Sequence, residues 1–135
     1  KAIELAQKNF EAHSQKVSRL RDLFMIELET IEGLVINGSK TQRLANNVNV
    51  SIPGLDTEYA VVVLDKSGVA ASTKSACSGA GSGRSEVVYS MTKDEGRANS
   101  TIRFSLGENT TGGELKRVVE LLRTHVDRMK SFISK

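Results

Sequence analysis

The chain has 135 residues, of which 26% are charged and 39% are hydrophobic, a balance typical of one globular domain. Its 19 basic and 16 acidic residues are interspersed, the net charge is only +3 and aromatic residues make up 4%, so we expect no nucleic-acid partner. No apolar run reaches the roughly 18 residues of a membrane span, the start shows no signal-peptide pattern, and one cysteine excludes an internal disulfide, which together predict a reduced, cytoplasmic setting and no membrane partner.

The first thirty residues predict one long amphipathic helix, because apolar positions recur at spacings of three and four. These positions are Ile3, Ala6, Phe10, His13, Val17, Leu20 and Phe24. The pattern begins without a cap signal at Lys1, which indicates a helix cut from something longer. Gly33 ends the helix, and residues 34–36 predict a short strand before a turn.

The middle of the chain predicts a strand, a helix, a second short strand and a loop, in that order. Polar and apolar residues alternate over 48–52, which predicts a half-buried strand. Asp56 then fits the N-cap of a helix that runs to the helix-end signal at 67–68. Residues 69–72 predict another short strand. Residues 73–85 are rich in glycine and serine and lack apolar periodicity, so we expect a mobile loop there.

The last part of the chain gives the clearest patterns. Residues 86–91 predict a short helix, and 100–106 predict a strand with strict alternation. Thr111 and Glu114 form a capping box before a final helix. The apolar stripe of that helix consists of Leu115, Val118, Val119, Leu122, Val126, Met129 and Ile133. This order of elements predicts an α+β fold, a small, mostly antiparallel sheet with helices on one side.

Cys77 is the residue best suited to nucleophilic chemistry. Free cysteines are usually buried as small apolar residues, but the neighbours of this one are serine, alanine and glycine. A thiol on such a loop is accessible, and Lys74 and Arg84 would favour its thiolate form. From the residues alone, a reactive role and a packing role both stay open.

Arg103 also has two interpretations. It is either a solvated arginine on the polar face of its strand or a clamp for a carboxylate, since a guanidinium offers two parallel donors and a strand holds it rigidly. His13 lies on the apolar stripe of the first helix, so we expect a packing role for it, and His125 lies at the edge of the stripe of the last helix. Neither has a second ligand at helical spacing, and no metal site is predicted.

The glycine-rich segment permits an alternative function. Residues 78–85 nearly fit the phosphate-binding pattern G-x-x-x-x-G-K-[ST], with Ser78 in place of the first glycine and Arg84 in place of the lysine. The helix that follows looks short, and no parallel strand–helix–strand unit is indicated. Nucleotide binding by this segment therefore stays an alternative hypothesis.

Four segments carry further motifs, in order across residues 43–114. RLANNVNVSIPG at 43–54 resembles R-L-P-N-N-x-N-x-S-x-P-G, and GVAASTKSACS at 68–78 resembles G-x-x-x-S-x-G-S-A-C-[ST]. STIRFSLG at 100–107 resembles an S-x-R-F-S-L-G strand, and TTGGE at 110–114 is similar to a T-T-x-E-E helix start. Together these motifs resemble the pyridoxal-phosphate-dependent cysteine desulfurases within the class V aminotransferases. The departures are Ala45, Lys74 and Glu86, where proline, glycine and histidine are common.

The resemblance implies a site and a reaction. Cys77 matches the nucleophile, in a catalytic loop with Ser75, Ala76 and Ser78, and Arg103 matches the arginine that binds the substrate's α-carboxylate. The implied reaction removes sulfur from L-cysteine, leaving L-alanine and a persulfide on the cysteine. The implied partners are an iron–sulfur scaffold or another sulfur acceptor, and the implied complete enzyme is a homodimer.

The resemblance also defines what we expect to be missing. The family's cofactor lysine follows a histidine, and this chain has no His-Lys pair. We therefore expect residues 1–135 to form a single C-terminal domain of a fold-type I enzyme, without the large cofactor-binding domain. Alone, the chain is expected to bind no pyridoxal phosphate and to be inactive. A stand-alone module that relays sulfur on Cys77 or docks on a scaffold is a second hypothesis.

Overall fold

Five helices and three strands make up the described part of the chain. The computed structural model describes residues 1–73 and 83–133. The helices are α1 (Ala2–Leu28), α2 (Thr57–Lys66), α3 (Glu86–Thr92), α4 (Glu95–Asn99) and α5 (Gly112–Ile133), and the strands are β1 (Val35–Ile36), β2 (Asn47–Ser51) and β3 (Thr101–Ser105). The α+β prediction is confirmed, and α4 is an addition to the predicted elements. Among the described helices, none is long and apolar enough to cross a membrane.

The three strands form one antiparallel sheet in the order β1-β2-β3. Val50 pairs with Ile102, and Asn49 pairs with Arg103. Because successive side chains of a strand point to opposite faces, this register divides the sheet into an apolar face and a polar face. The predicted alternation of β3 is thereby confirmed.

The apolar face packs against the three long helices. Phe104 of β3 meets Phe24 of α1 edge to face, with ring centroids 5.5 Å apart. Residues from all three helices fill the same core, including Leu28 of α1, Leu64 of α2 and Leu122 of α5, each at most 1% exposed. Burial of an aliphatic side chain of this size contributes about 1.5–3 kcal/mol relative to exposure, so this layer holds the sheet in place.

The polar face carries the two short helices α3 and α4. The side chains of Ser51 and Thr101 donate hydrogen bonds to the backbone oxygen of Arg97 in α4, at 2.7 and 2.8 Å. Those side chains lie on the face opposite Val50 and Ile102. The prediction of helices on one side therefore holds for the long helices, while α3 and α4 stand at the other face.

Local capping explains where α5 begins and where α2 ends. The Thr111 N–H donates to a Glu114 carboxylate oxygen at 2.8 Å, and the Glu114 N–H donates back to the Thr111 hydroxyl at 3.3 Å, as the capping box predicts. At the end of α2, Gly68 adopts a positive φ of 78°, and the N–H of Val69 bonds the oxygen of Leu64 at 2.9 Å.

Two predictions from the sequence need correction. Residues 69–72 do not form a strand, because the N–H of Val69 is committed to the end of α2 and only Ser72 bridges to the sheet. The apolar stripe predicted for the first helix also includes Ile3 and Phe10, which are 75% and 69% exposed and so do not join the core. Only from Val17 onward does α1 contribute to the buried core of the described residues.

Candidate functional site

A recess of about 400 Å³ opens on the polar face of the sheet, beside β3. Its walls come from the sheet, from α3 and from the loop that follows β1. The residues of these walls include Asn37, Arg43, Asn49, Thr73 and Arg103. Two arginines and no aspartate or glutamate stand among the described residues that line it, so the recess favours an anion.

Four residues lie in one row across the sheet at this recess. The N–H of Asn37 donates to the oxygen of Asn49 at 2.8 Å, Asn49 pairs with Arg103, and Arg103 bridges to Ser72. Because the N–H and C=O of Arg103 both bond Ser72, Asn49 and Arg103 form a non-hydrogen-bonded antiparallel pair. Side chains of such pairs stand closest together, with Cβ atoms about 4.5–5.5 Å apart.

Arg103 combines a fixed backbone with an available side chain. Its N–H donates to Ser72 at 2.7 Å, and its oxygen accepts from the Ser72 N–H at 3.1 Å. The side chain is exposed, and its guanidinium bonds no side chain or backbone group of the described residues. Such a group keeps its two-pronged donor set for a ligand.

Arg43 is the second cation of the recess, and its guanidinium is already engaged. It donates to the backbone oxygens of Asn47 at 3.0 Å and Ser39 at 3.3 Å. Burial, and then the nearby charge of Arg21, lower the pKa of Arg43 below its usual value. Even so lowered, an arginine keeps its charge at neutral pH, so Arg43 adds positive potential to the recess while its Nε and Nη1 atoms are bonded within the chain.

Arg84 is not available to a thiol in the way the sequence suggested. Its Nε donates to Glu86 at 2.9 Å, its Nη1 pairs with Glu95, and its guanidinium lies 3.7 Å from the ring centre of Tyr89. The hydrogen bond from Arg84 to Glu86 raises the pKa of Arg84. Arg84 therefore links the start of α3 to α4, and its charge is balanced by two carboxylates.

Most of the predicted loop residues cannot be placed in this geometry. Cys77 and its neighbours Ser75, Ala76 and Ser78 lie outside the described residues, as does Lys74. The described chain stops at Thr73, which lines the recess, and resumes at Gly83. Of the predicted site residues, only Arg103 is placed, and it lies in the wall of the same recess as Thr73.

The two histidines lie among the helices. His125 is 7% exposed, and its ring centre is 5.5 Å from that of Tyr59. Its Nε2 atom is buried without a hydrogen-bond partner, and burial lowers the pKa of His125. His13 is half-buried on α1. Within the described ranges, no three acidic, histidine or cysteine side chains converge in a way that would hold a metal ion.

The nucleotide hypothesis finds no support in the described part of the fold. A phosphate-binding loop joins a strand to a helix within a parallel strand–helix–strand unit. Here the strands all pair antiparallel, and the helix after residues 78–85 has only seven residues.

The recess suits a carboxylate better than it suits pyridoxal phosphate itself. Holding that cofactor requires an amine for its aldehyde and an acid for its ring nitrogen. Among the described residues, the lining includes neither a lysine nor an acidic side chain. The described face therefore offers groups that would bind a carboxylate.

Sequence reasoning missed the two asparagines of the row. Asn49 sits in the NNVNVS run, on the polar face of β2, whereas Asn37 belongs to a turn signal twelve residues earlier. The alternation of β2 signals that Asn49 shares a face with Ser51. No local pattern signals that Asn37 reaches it, because that contact depends on the antiparallel pairing.

The family model for aminotransferase class-V matches residues 1–118 of the chain. The cysteine desulfurase IscS of Dictyoglomus turgidum is 33% identical over 132 residues, which are 97% of this chain and 34% of that protein. The cysteine desulfurase IscS of Clostridium botulinum is 37% identical over 125 residues, which are 90% of this chain and 32% of that protein. The chain thus spans about a third of the length of these curated relatives.

A solved structure shares the fold. The NifS-like protein of Rickettsia africae superposes with a TM-score of 0.77 at 22% identity, over 91% of this chain and 31% of that one. At this identity the match concerns the fold. The α+β architecture of this chain therefore matches the fold of 31% of that solved structure.

Proposed function

Because the chain belongs to the aminotransferase class-V family, we propose that it is the carboxy-terminal domain of a cysteine desulfurase. In this proposal, Cys77 is the nucleophile that takes sulfur from L-cysteine, and Arg103 binds the substrate's α-carboxylate. The observation that carries the proposal is the recess, where an unengaged guanidinium stands on a strand in a wall with no acidic side chain among the described residues.

Arg103 has the properties that a carboxylate clamp needs. Its backbone is bonded to Ser72 on one side and lies against β2 on the other, so the base of the side chain is fixed. A guanidinium binds a carboxylate with two parallel hydrogen bonds, which set both the position and the orientation of the ligand. The positive potential that Arg43 adds favours the same ligand.

The chain connects Cys77 to this clamp over a short distance. Ser72 pairs with Arg103, and Thr73 lines the recess. Cys77 is four positions after Thr73, and an extended chain spans at most about 14 Å over four such steps. The covalent geometry therefore keeps the thiol within reach of a substrate held by Arg103.

The proposed reaction transfers one sulfur atom. The Cys77 thiolate attacks the sulfur of L-cysteine, so that an S–S bond forms and the Cβ–S bond of the substrate breaks. The β-carbon keeps the electron pair and takes up a proton, which gives L-alanine. The enzyme is left with a persulfide on Cys77. A second thiol can then accept the outer sulfur atom of this persulfide.

The remaining parts of the proposal concern the complete protein. Pyridoxal phosphate, held by residues other than the described ones, would supply the electron sink that makes the C–S bond labile. We propose an iron–sulfur scaffold or another sulfur-acceptor protein as partner, and a homodimer as the complete enzyme. The predictions that the chain alone binds no cofactor and that the protein is cytoplasmic stay predictions.

The test is sulfur release by the complete protein. Wild type should convert L-cysteine to equal amounts of L-alanine and protein-bound or released sulfur, and Cys77→Ser should lose this activity. Arg19→Ala, on the exposed surface of α1, serves as the control and should retain activity. Absence of alanine formation by the wild type, or its persistence in Cys77→Ser, would contradict the proposal.

The same experiment separates the sulfur-relay alternative. A relay module accepts sulfur from a persulfide donor but produces no alanine from L-cysteine. Persulfide on Cys77 after exposure to a donor, without any alanine from L-cysteine, would favour the relay.

A further inference from the structure

The inference starts from a chain of hydrogen bonds behind the recess. Arg97 of α4 donates to the Asn37 Oδ1 through Nη2 at 2.7 Å and through Nε at 3.2 Å. The Asn37 Nδ2 then donates to the Asn49 Oδ1 and to the Ser51 hydroxyl, both at 2.7 Å. The Ser51 hydroxyl donates onward to the backbone oxygen of Arg97 at 2.7 Å, which closes the network.

This network fixes the orientation of both amides, because its first member can only donate. A guanidinium has no acceptor, so the group of Asn37 that faces Arg97 must be its oxygen. The Asn37 nitrogen is then directed at Asn49, and only the Asn49 oxygen can accept from it. Asn37 is 2% exposed, so its amide has little freedom to turn.

The free end of Asn49 is consequently a donor. Its oxygen is taken by Asn37, and its Nδ2 bonds no group among the described residues. Asn49 stands directly across from Arg103 in a non-hydrogen-bonded pair, and both side chains line the recess. Two sets of N–H donors thus stand side by side, with no acceptor from Asn49 left to oppose an anion.

We propose that Asn49 is a second binding residue for the substrate's carboxylate, beside Arg103, and that Asn37 and Arg97 are positioning residues that hold its amide nitrogen toward the recess. This inference rests on the proposed function and adds to it a second residue that donates a hydrogen bond to the carboxylate. A carboxylate has two oxygens and about four lone-pair sites, so it can accept from a guanidinium and from an amide at once.

The test uses a probe with a carboxylate and no amine. Binding of 3-mercaptopropionate to the complete protein is measured by titration calorimetry, with cysteamine, which has the amine and thiol but no carboxylate, as the second ligand. Asn49→Ala should weaken 3-mercaptopropionate binding by about tenfold or more, as expected for a hydrogen bond to a charged group. Asn46→Ala, an exposed asparagine in the turn before β2, is the matched control and should leave the affinity unchanged.

The positioning role has its own readout. Asn37→Asp keeps an acceptor for Arg97 but removes the donor to Asn49, so the Asn49 amide should turn its oxygen to the recess and weaken 3-mercaptopropionate binding. In the Asn49→Ala background, Asn37→Asp should not weaken 3-mercaptopropionate binding further. Simple repulsion between the new carboxylate and that of the ligand would still weaken binding there. Binding of cysteamine should be the same in all variants, which a general loss of structure would not permit.

The outcomes distinguish this inference from the proposed function. Weakening by Arg103→Ala together with wild-type affinity in Asn49→Ala would overturn the inference and leave the proposed function intact. Unchanged affinity in Arg103→Ala would overturn both. Equal weakening by Asn46→Ala, or a persistent effect of Asn37→Asp without Asn49, would also overturn it.

Discussion

Ser72 and Arg103 bond each other through both of their backbone groups, with N–H to O distances of 2.7 and 3.1 Å. This pair joins the last described stretch before Cys77 to the strand that carries the guanidinium. A loop attached in this way has its origin fixed relative to the binding group, whatever path it takes afterwards. The pairing therefore links the two residues that the proposed reaction requires.

Arg103→Ala should lower kcat/KM for L-cysteine in the complete protein. Removing one member of a charged, hydrogen-bonded pair typically costs about 2–5 kcal/mol, and the lower figure alone is about 30-fold in affinity. The kcat/KM of Arg103→Lys should lie between those of wild type and Arg103→Ala, because an ammonium keeps the charge without the planar donor pair of a guanidinium. Arg19→Ala, on the exposed surface of α1, is the control. Equal kinetics for Arg103→Ala and Arg19→Ala would count against the clamp.

Two leucines of α1 should respond very differently to the same substitution. Leu28 is fully buried in the core, and Leu28→Ala should lower the free energy of unfolding by about 2–5 kcal/mol. Leu23 is 61% exposed, and Leu23→Ala should change the free energy of unfolding by roughly 0.5 kcal/mol or less. Urea unfolding of the 135-residue chain measures both values, and similar losses would show that the buried layer is assigned incorrectly.

His125 should make stability depend on pH. Since burial lowers its pKa below 6.5 in the folded state, the unfolded chain binds the proton more readily. The free energy of unfolding should therefore be at its plateau above about pH 6.5 and should decline as the pH falls toward the folded-state pKa. His125→Phe keeps a ring beside Tyr59 and should reduce the decline between about pH 7 and pH 5.5. The same pH profile in both proteins would be the contrary result.

Glycine substitutions should act with opposite sign at two positions. Gly68 has a positive φ of 78° at the end of α2, and Gly68→Ala should destabilise the fold by about 1–2 kcal/mol. Gly113 lies near the start of α5 with no atom within 4 Å of an added Cβ, so Gly113→Ala should be neutral or stabilising by up to about 1 kcal/mol. Thermal unfolding of the two variants decides, and a loss of stability in Gly113→Ala would contradict the assignment.

Local patterns predicted the elements whose signals lie in neighbouring residues. The alternation over 100–106 placed Arg103 on the polar face, and the capping box placed the start of α5. The five residues of α4 were missed because a single turn is too short to show a period. The strand predicted over 69–72 failed since the end of α2 takes the N–H of Val69.

The site was only partly predictable for a related reason. Arg103 could be identified from its own strand and motif. The role of its neighbour Asn49 depends on Asn37 and Arg97, because their hydrogen bonds orient its amide. Those two residues lie 12 and 48 positions away in the chain, and the sheet and α4 bring them together. Donor and acceptor directions across such a network depend on tertiary contacts that no local period encodes.

The most direct measurement follows sulfur onto Cys77 as a function of L-cysteine concentration, by mass spectrometry of the complete protein. The proposed function predicts one added sulfur atom on the peptide that contains Cys77, formed at much higher L-cysteine concentrations in Arg103→Ala than in wild type. Sulfur on Cys77 with the same concentration dependence in both proteins, or no sulfur on Cys77 at all, would contradict it.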